Sequence, residues 1–261
     1  MSDLLLQRLE QRPRDSAGGH IAWLTVNNPE RRNALGMAGK RAIAETFHRL
    51  AKDDQLRAVV ITGAGDKSFI AGADIHEMRD LDAAGAEHEH RLTHLANQAI
   101  RDCPVPVIAR VNGYCLGFGM ELAAACDIRI GSDNARFGMP EVRVGIPSGM
   151  EAALLPQLIG WGKAAELVLT GDIIDAAEAH RIGFLQRLVA ADQLDAEVER
   201  CLSSLLAGGA RVMRLQKGLL RDWEQLPIPE AIEAGIAACV RARDTDEPRR
   251  MMQAFIERKK R

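Results

Sequence analysis

Two carboxylates stand out as candidates for acid/base chemistry. Glu121 closes the stretch Gly113-Tyr114-Cys115-Leu116-Gly117-Phe118-Gly119-Met120-Glu121, at the start of a predicted helix that follows a glycine-rich turn. Glu141 comes twenty residues later, in Phe137-Gly138-Met139-Pro140-Glu141. Residues 122–130, between them, are apolar and read as a helix passing into a strand. A carboxyl group beside glycine turns and apolar runs is a candidate general acid or base, because burial disfavours its charged form and raises its pKa toward neutrality. Taken singly, each has a plainer role. A Glu in a first helical turn complements the helix dipole, and a lone Glu after Pro is ordinarily solvated.

The elements that must position these groups alternate. Residues 4–10 and 21–26 read as strands, the second bounded by Asn27-Asn28-Pro29. Between them, residues 11–19 form a polar turn. An amphipathic helix is expected over residues 37–53, with Ala42, Ile43, Phe47 and Leu50 at helical spacing. Residues 58–62 are a short apolar run, the signature of a buried strand. A turn over 63–68 and a small, glycine-containing segment over 69–75 lead toward a helix over 84–102. Strands follow over 104–111 and 126–130. This strand–helix rhythm predicts α/β architecture with crossover connections. After Pro147 the pattern becomes helical over 150–158, 162–169, 175–181, 192–206, 211–223, 230–241 and 246–259. Only residues 184–189 look like a strand there. A soft boundary near 190 divides the chain into a core, 1–190, and a helical region, 191–261.

The 261 residues suffice for a sizeable core, with 47% apolar and 27% charged residues and a net charge of −2. That balance offers no general argument for nucleic acid or an acidic surface as partner. Cys103, Cys115, Cys126, Cys201 and Cys239 are odd in number, widely spaced and without a CxxC pair. They read as reduced thiols of a cytoplasmic protein. No signal peptide and no membrane-spanning run is expected.

Several motifs fall short. Gly63-x-Gly65 and Gly117-x-Gly119 lack the third glycine of a dinucleotide loop, with Ser68 and Leu122 in those places. His88, His90 and His94 cluster, and His90 and His94 share a helical face, but no third metal ligand is suggested nearby. The plainer reading is a solvated helix face of mixed charge. Ser148 sits in no nucleophile elbow and reads as a cap for the helix after it. The basic end Arg258-Lys259-Lys260-Arg261 reads as a solvated helix terminus, with a phosphate contact as the alternative.

Three stretches together resemble the crotonase, or enoyl-CoA hydratase/isomerase, superfamily. Asn28-Pro29-Glu30-Arg31-Arg32-Asn33-Ala34-Leu35 is similar to its Asn-Arg-Pro-x-x-x-Asn-Ala-Leu segment. Phe69-Ile70-Ala71-Gly72-Ala73-Asp74-Ile75 is similar to its Ala-Gly-Ala-Asp loop. The third is Glu121 with Phe137-Gly138-x-Pro140-Glu141. Gly160-x-Gly162-x-Ala164, Leu169-Thr170-Gly171 and Ala176-x-Glu178-Ala179 continue the likeness, which is strong over residues 20–190.

The resemblance implies a spiral of ββα turns followed by a helical trimerisation region, and a homo-oligomer that is a trimer or a dimer of trimers. It implies an enzyme that adds water in syn fashion to a trans-2-enoyl-CoA. Glu141 would exchange the proton at the α carbon and Glu121 would orient or deprotonate the water. The main-chain N–H groups of Ala73 and Phe118 would form an oxyanion hole for the thioester oxygen. Glu30, Arg32, Ala34, Ala71, Gly72, Asp74, Ile75 and Gly117 would border the CoA thioester, with Arg31, Arg32 and the basic tail as candidates for its phosphates. No resident cofactor and no metal is expected, since coenzyme A enters as part of the substrate. No nucleic acid or membrane partner is implied. Phe118 stands where many hydratases have Gly, and residues 145–151 form a loop one residue shorter than the common version and unlike it. His76 takes a place where Lys is frequent. Alternatives are an enoyl-CoA isomerase or specialised acyl-CoA dehydratase of the same superfamily, and a non-catalytic or RNA-binding crotonase-like protein.

Overall fold

The computed structural model describes residues 4–12 and 18–258. The expected polar turn over 11–19 therefore lies partly outside the described residues, as do the first three residues and Lys259-Lys260-Arg261 of the basic end.

Ten strands and eleven α-helices are formed among the described residues. In chain order they are β1 (Leu5–Gln11), β2 (His20–Val26), α1 (Met37–Leu50), β3 (Leu56–Gly63), β4 (Ser68–Ile70), α2 (Ile75–Met78) and α3 (Ala83–Arg101). Then come β5 (Val107–Val111), β6 (Tyr114–Leu116), α4 (Phe118–Ala125), β7 (Ile128–Ser132) and β8 (Arg136–Gly138). The last part holds α5 (Leu155–Ile159), α6 (Trp161–Thr170), β9 (Ile173–Asp175), α7 (Ala176–Arg181), β10 (Arg187–Val189) and α8 (Leu194–Leu206). It ends with α9 (Ala210–Gln225), α10 (Ile228–Arg241) and α11 (Glu247–Arg258).

The strands form two sheets. One runs β1-β2-β3-β5-β7-β10, parallel from β2 onward with β1 antiparallel at its edge. The other runs β4-β6-β8-β9, with β4, β6 and β8 parallel and β9 antiparallel. The chain places one strand in the large sheet, a three-residue strand in the small one, then a helix, and repeats. The units β3–β4–α3 and β5–β6–α4 are two such turns, and β7–β8 begins a third. This is the spiral of ββα turns.

Burial explains the large sheet. Every residue of β3 is buried, as befits a central parallel strand with helices on both sides. The apolar stripes of α1 and α3 pack on one face, with Ile43, Phe47, Ala96 and Ile100 in the main core. Leu194, Val198, Cys201, Leu202 and Leu206 of α8 cover the other face over Ile21, Ala58, Val60, Ile108 and Ile130. The boundary expected near 190 thus precedes a helix that closes the core. The helices left on the outside are α9, α10 and α11.

The small sheet is where the sequence reading differs from the structure. Its three-residue strands are too short to show a period of two. Residues 69–75, read as a loop, contain the end of β4, and β6 and β8 were not expected. Strand β9 is a second strand in the region where only 184–189 was expected, and there only Arg187–Val189 pairs. The helix expected over 150–158 divides into a 3-10 turn, Met150–Leu154, and α5, at whose start Pro156 lacks an amide hydrogen.

Candidate active site

Helix α4, Phe-Gly-Met-Glu-Leu-Ala-Ala-Ala, is buried along its whole length. A helix that is apolar all round belongs in a core, and Glu121 is its one ionisable residue. Two glycines let it approach. At Gly119 a Cβ would sit 2.0 Å from the Ile70 carbonyl oxygen, so α4 rests directly on the backbone of β4. Gly117 turns the chain from β6 into α4 at φ +51°, and a Cβ there would lie 2.5 Å from Glu141 Oε1.

Glu141 is on the 3-10 turn Pro140–Val144, which follows β8. Strands β6 and β8 pair side by side, so Gly117, next beyond β6, and Met139-Pro140, next beyond β8, leave the sheet at the same end. That pairing brings Glu121 and Glu141 together on one cavity of about 190 Å³. Ser148 Oγ donates to Glu141 Oε2 at 2.8 Å. Ser148 is therefore not the helix cap the sequence suggested; the 3-10 turn after it starts from Gly149, with no side-chain cap.

Glu121 is 3% exposed. Burial first, and then the charges of Glu141 and Glu151, push its pKa up to about 8, while Lys40 and the Ala152 N–H pull the other way. A carboxyl group in this position holds its proton at neutral pH.

The same cavity is lined by Ala71, Gly72 and Ala73, by Gly117 and by Phe118. Leu35 N–H donates to Gly72 O at 3.2 Å and Asp74 N–H to Leu35 O at 3.0 Å, forming a parallel bridge. An extended chain alternates its amides from edge to edge, so Ala73 N–H faces away from Leu35. Phe118 is the first residue of α4, and its N–H has no acceptor within the helix. Two main-chain donors thus border one cavity with two carboxylates.

Of the other expected residues, Ile75 lines the cavity while Glu30, Arg32, Ala34 and Asp74 do not. Asp74 caps α2 by accepting from His76 N–H at 3.0 Å, and it takes Arg31 at 2.7 Å. Arg32 is exposed and lies over the Tyr114 ring at 5.5 Å. Asn33, which begins the Asn-Ala-Leu motif, is fully buried and bonds Ala64 O and Ser68 O, tying that motif to the start of the small sheet.

The Phe118 ring lies in the core, where Lys40 Nζ stands 4.8 Å from its centroid. Lys40 is 1% exposed, pairs with Glu89 and donates to Thr93 Oγ1 at 2.7 Å. Burial lowers the Lys40 pKa against the opposing pull of Glu89. The solvated mixed-charge face read around His88, His90 and His94 holds at His88 and His94 and fails at Glu89. His88 is exposed, but Glu89 is buried against α1 and His94 Nδ1 lies 2.7 Å from Glu151 Oε1. The signal was present: Lys40 falls in register with Ile43, Ala44 and Phe47, and Glu89 with Leu92, Thr93 and Ala96. A charge inside an apolar stripe marks a buried charge that needs a partner on the facing stripe. Asn97 was also missed, though it falls in the same stripe as Thr93, Ala96 and Ile100, and so was Glu151, which no local pattern marks.

A model of the family described as enoyl-CoA hydratase/isomerase matches residues 16–261. A crotonyl-CoA hydratase of Syntrophomonas wolfei is 37% identical, the alignment covering 92% of this chain and 93% of that protein. A short-chain-enoyl-CoA hydratase of Clostridium acetobutylicum is 35% identical over 93% of each. Among solved structures, an enoyl-CoA hydratase of Mycobacterium smegmatis superposes with a TM-score of 0.91 at 30% identity, covering 98% of this chain and 97% of that one.

Proposed function

The chain belongs to the enoyl-CoA hydratase/isomerase family, and on that premise we propose that it adds water across the double bond of a trans-2-enoyl-CoA to give the 3-hydroxyacyl-CoA. The observation that supports this reading is one cavity lined by Glu121 and Glu141 together with Ala73 and Phe118.

The thioester oxygen is held by the Ala73 and Phe118 N–H groups, which form an oxyanion hole as an enolate develops. Preorganised donors of this kind are worth about 3–4 kcal/mol each in other enzymes. The start of α4 adds its dipole. The two carboxylates move the protons. In the free site the proton rests on Glu121, the more deeply buried group. That state suits the dehydration direction: Glu141 takes the α proton while Glu121 protonates the leaving hydroxyl. Hydration runs the same path backward, with Glu121 taking a proton from water and Glu141 delivering one to the α carbon.

CoA lies across residues 28–35 and 71–75 in this reading, bordered by Glu30, Arg32, Ala34, Asp74 and Ile75. Exposed Arg32 offers its guanidinium to a phosphate. No resident cofactor takes part. Ile146, Pro147, Gly149 and Met150 line the cavity, so the short loop borders the acyl group.

The assembly is a homo-oligomer, a trimer or a dimer of trimers. Ile228, Ile232, Ile236 and Val240 form an exposed stripe along α10 at four-residue spacing, 54–76% exposed. A face of that kind marks an interface. Among the described residues no helix is long and apolar enough to cross a membrane. The five free thiols fit the reducing cytoplasm. Sedimentation of the wild type and of Ile232→Asp tests the assembly; a wild-type monomer rejects it.

The activity is tested with enoyl-CoAs of four to ten carbons, following loss of the conjugated thioester absorbance and identifying the product. Hydration of crotonyl-CoA or a longer homologue is expected. No turnover across the series rejects the proposal, and conversion of 3-enoyl to 2-enoyl substrates without hydration replaces it with isomerisation.

A further inference from the structure

We propose that Glu151 is a positioning residue, and that its attachment to α3 sets where Glu121 and Glu141 stand relative to each other. The inference deepens the reading of this cavity as a hydratase site and rests on it.

Three contacts define the device. Ser148 Oγ donates to Glu141 Oε2 at 2.8 Å. Four residues on, the Ala152 N–H donates to Gly149 O at 2.9 Å and stands near enough to the Glu121 carboxylate to favour its charged form. Residues 148–152 therefore grip Glu141 at one end and border Glu121 at the other. Between these two points, the Glu151 side chain reaches the other way. Its Oε2 accepts from Asn97 Nδ2 at 2.9 Å, and its Oε1 lies 2.7 Å from His94 Nδ1. Both partners are on α3, the helix that also carries, five residues before His94, the Glu89 that pairs with Lys40.

Two further observations show that this anchor is costly. Met150 adopts φ +42°, a conformation that a side chain with a Cβ disfavours and that persists only where the surroundings impose it. Asn97 is fully buried, and its Oδ1 meets no partner among the described residues. A buried amide with one unsatisfied end is expensive, and its other end is committed to Glu151. Glu151 is itself 5% exposed. A buried carboxylate, a half-satisfied amide and a strained backbone converge on five residues that bond Glu141 and border Glu121.

The charge of Glu151 also matters. Around Glu121 stand Glu141 and Glu151 from the turns and Lys40 from α1, while Glu89 and His90 of α3 line the same cavity and His94 lies against Glu151. Glu151 is among the charges that raise Glu121. Position and charge can be separated by substitution. Glu151→Ala removes both. Glu151→Gln removes the charge but leaves an amide oxygen that still accepts from Asn97. Asn97→Ala removes the α3 end of the anchor and leaves Glu151 charged.

The test measures kcat and KM for crotonyl-CoA, together with the titration of the Glu121 carboxyl by carbon-13 NMR on the assembled protein. Glu151→Ala is expected to lower kcat about tenfold or more with KM within about threefold, because reacting groups displaced by a fraction of an ångström lose rate rather than binding. Glu151→Gln restores most of that rate, and its Glu121 titrates at lower pH than in the wild type. Asn97→Ala gives the same kcat-selective loss. If folded Glu151→Ala turns over at the wild-type kcat, the proposal fails. It fails equally if Glu151→Gln is as impaired as Glu151→Ala, or if Asn97→Ala lowers thermal stability alone. If the wild type hydrates no enoyl-CoA while Glu121 still titrates lower in Glu151→Gln, the hydratase reading falls and the coupling of Glu151 to Glu121 stands.

Discussion

Glu121 and Glu141 share a cavity but are held in opposite ways. Glu121 projects from a helix buried on every side, and its environment is made of packed apolar residues and other carboxylates. Glu141 projects from a single 3-10 turn at the cavity edge and is held by one hydroxyl, that of Ser148. The lesson is that the site places one acid by burial and the other by a hydrogen bond. Burial perturbs protonation and is rigid. A hydrogen bond from a loop orients without desolvating, and it can be removed without collapsing a core.

Substitutions test that contrast. The largest effect is expected from Glu141→Gln and Glu121→Gln, each lowering kcat/KM about a hundredfold or more, the usual contribution of a general acid or base. Steady-state hydration kinetics with circular dichroism as a fold check would decide it. Near-wild-type turnover by either variant removes that residue from the chemistry. Next comes Gly117→Ala. Its Cβ would stand 2.5 Å from Glu141 Oε1, at φ +51°. A loss in kcat of about tenfold to a hundredfold is expected, since the displaced group is the loop-held one. An unchanged rate would show that the Pro140–Val144 turn yields freely.

The buried acid makes its own prediction through pH. The Glu121 pKa is raised from 4.5 to about 8 in the folded chain, so between those values the folded state binds more protons than the unfolded. Its contribution to stability is fully present below about pH 4.5 and is lost as pH rises through about 8. Glu121→Gln should therefore flatten the fall in urea midpoint between pH 5.5 and 8.5, and Glu141→Gln should flatten it less. Equal slopes in wild type and Glu121→Gln would contradict the burial account. The smallest effect belongs to Ser148→Ala. One hydrogen bond to a charged group is worth about 1.5–3 kcal/mol when lost, and water can replace part of it at the cavity edge. A loss in kcat of about threefold to tenfold is expected, with the pH–stability slope unchanged.

How much of this was legible in the sequence varies from residue to residue. Glu121 and Glu141 were visible as candidates, and likeness to a family assigned them roles. Helices α1 and α3 and strand β3 were visible because each is long enough to show its period. Lys40 and Glu89 are legible in principle, as charges set in apolar stripes, yet the reading of a solvated face around His88, His90 and His94 passes over Glu89. The facing of α1 and α3 is a tertiary fact, and only that facing turns two misplaced charges into a pair. Ser148 was read as a cap because local spacing favours that role. The hydroxyl turned to a carboxylate seven residues back, across a loop whose path no local rule predicts.

By itself the sequence determined the alternation of strands and helices, the apolar stripes that bury one face of each helix, and the carboxylates available for chemistry. Those properties depend on neighbours within a turn or two, where steric and hydrophobic periodicity act. Tertiary structure decided the small sheet of three-residue strands, the meeting of β6 and β8 that sets Glu121 beside Glu141, and the clamp from Ser148 to Ala152 anchored on α3. Each of these depends on contacts between residues distant in the chain. Such contacts form only when the whole core closes, because no three-residue strand or single hydrogen bond is stable without it.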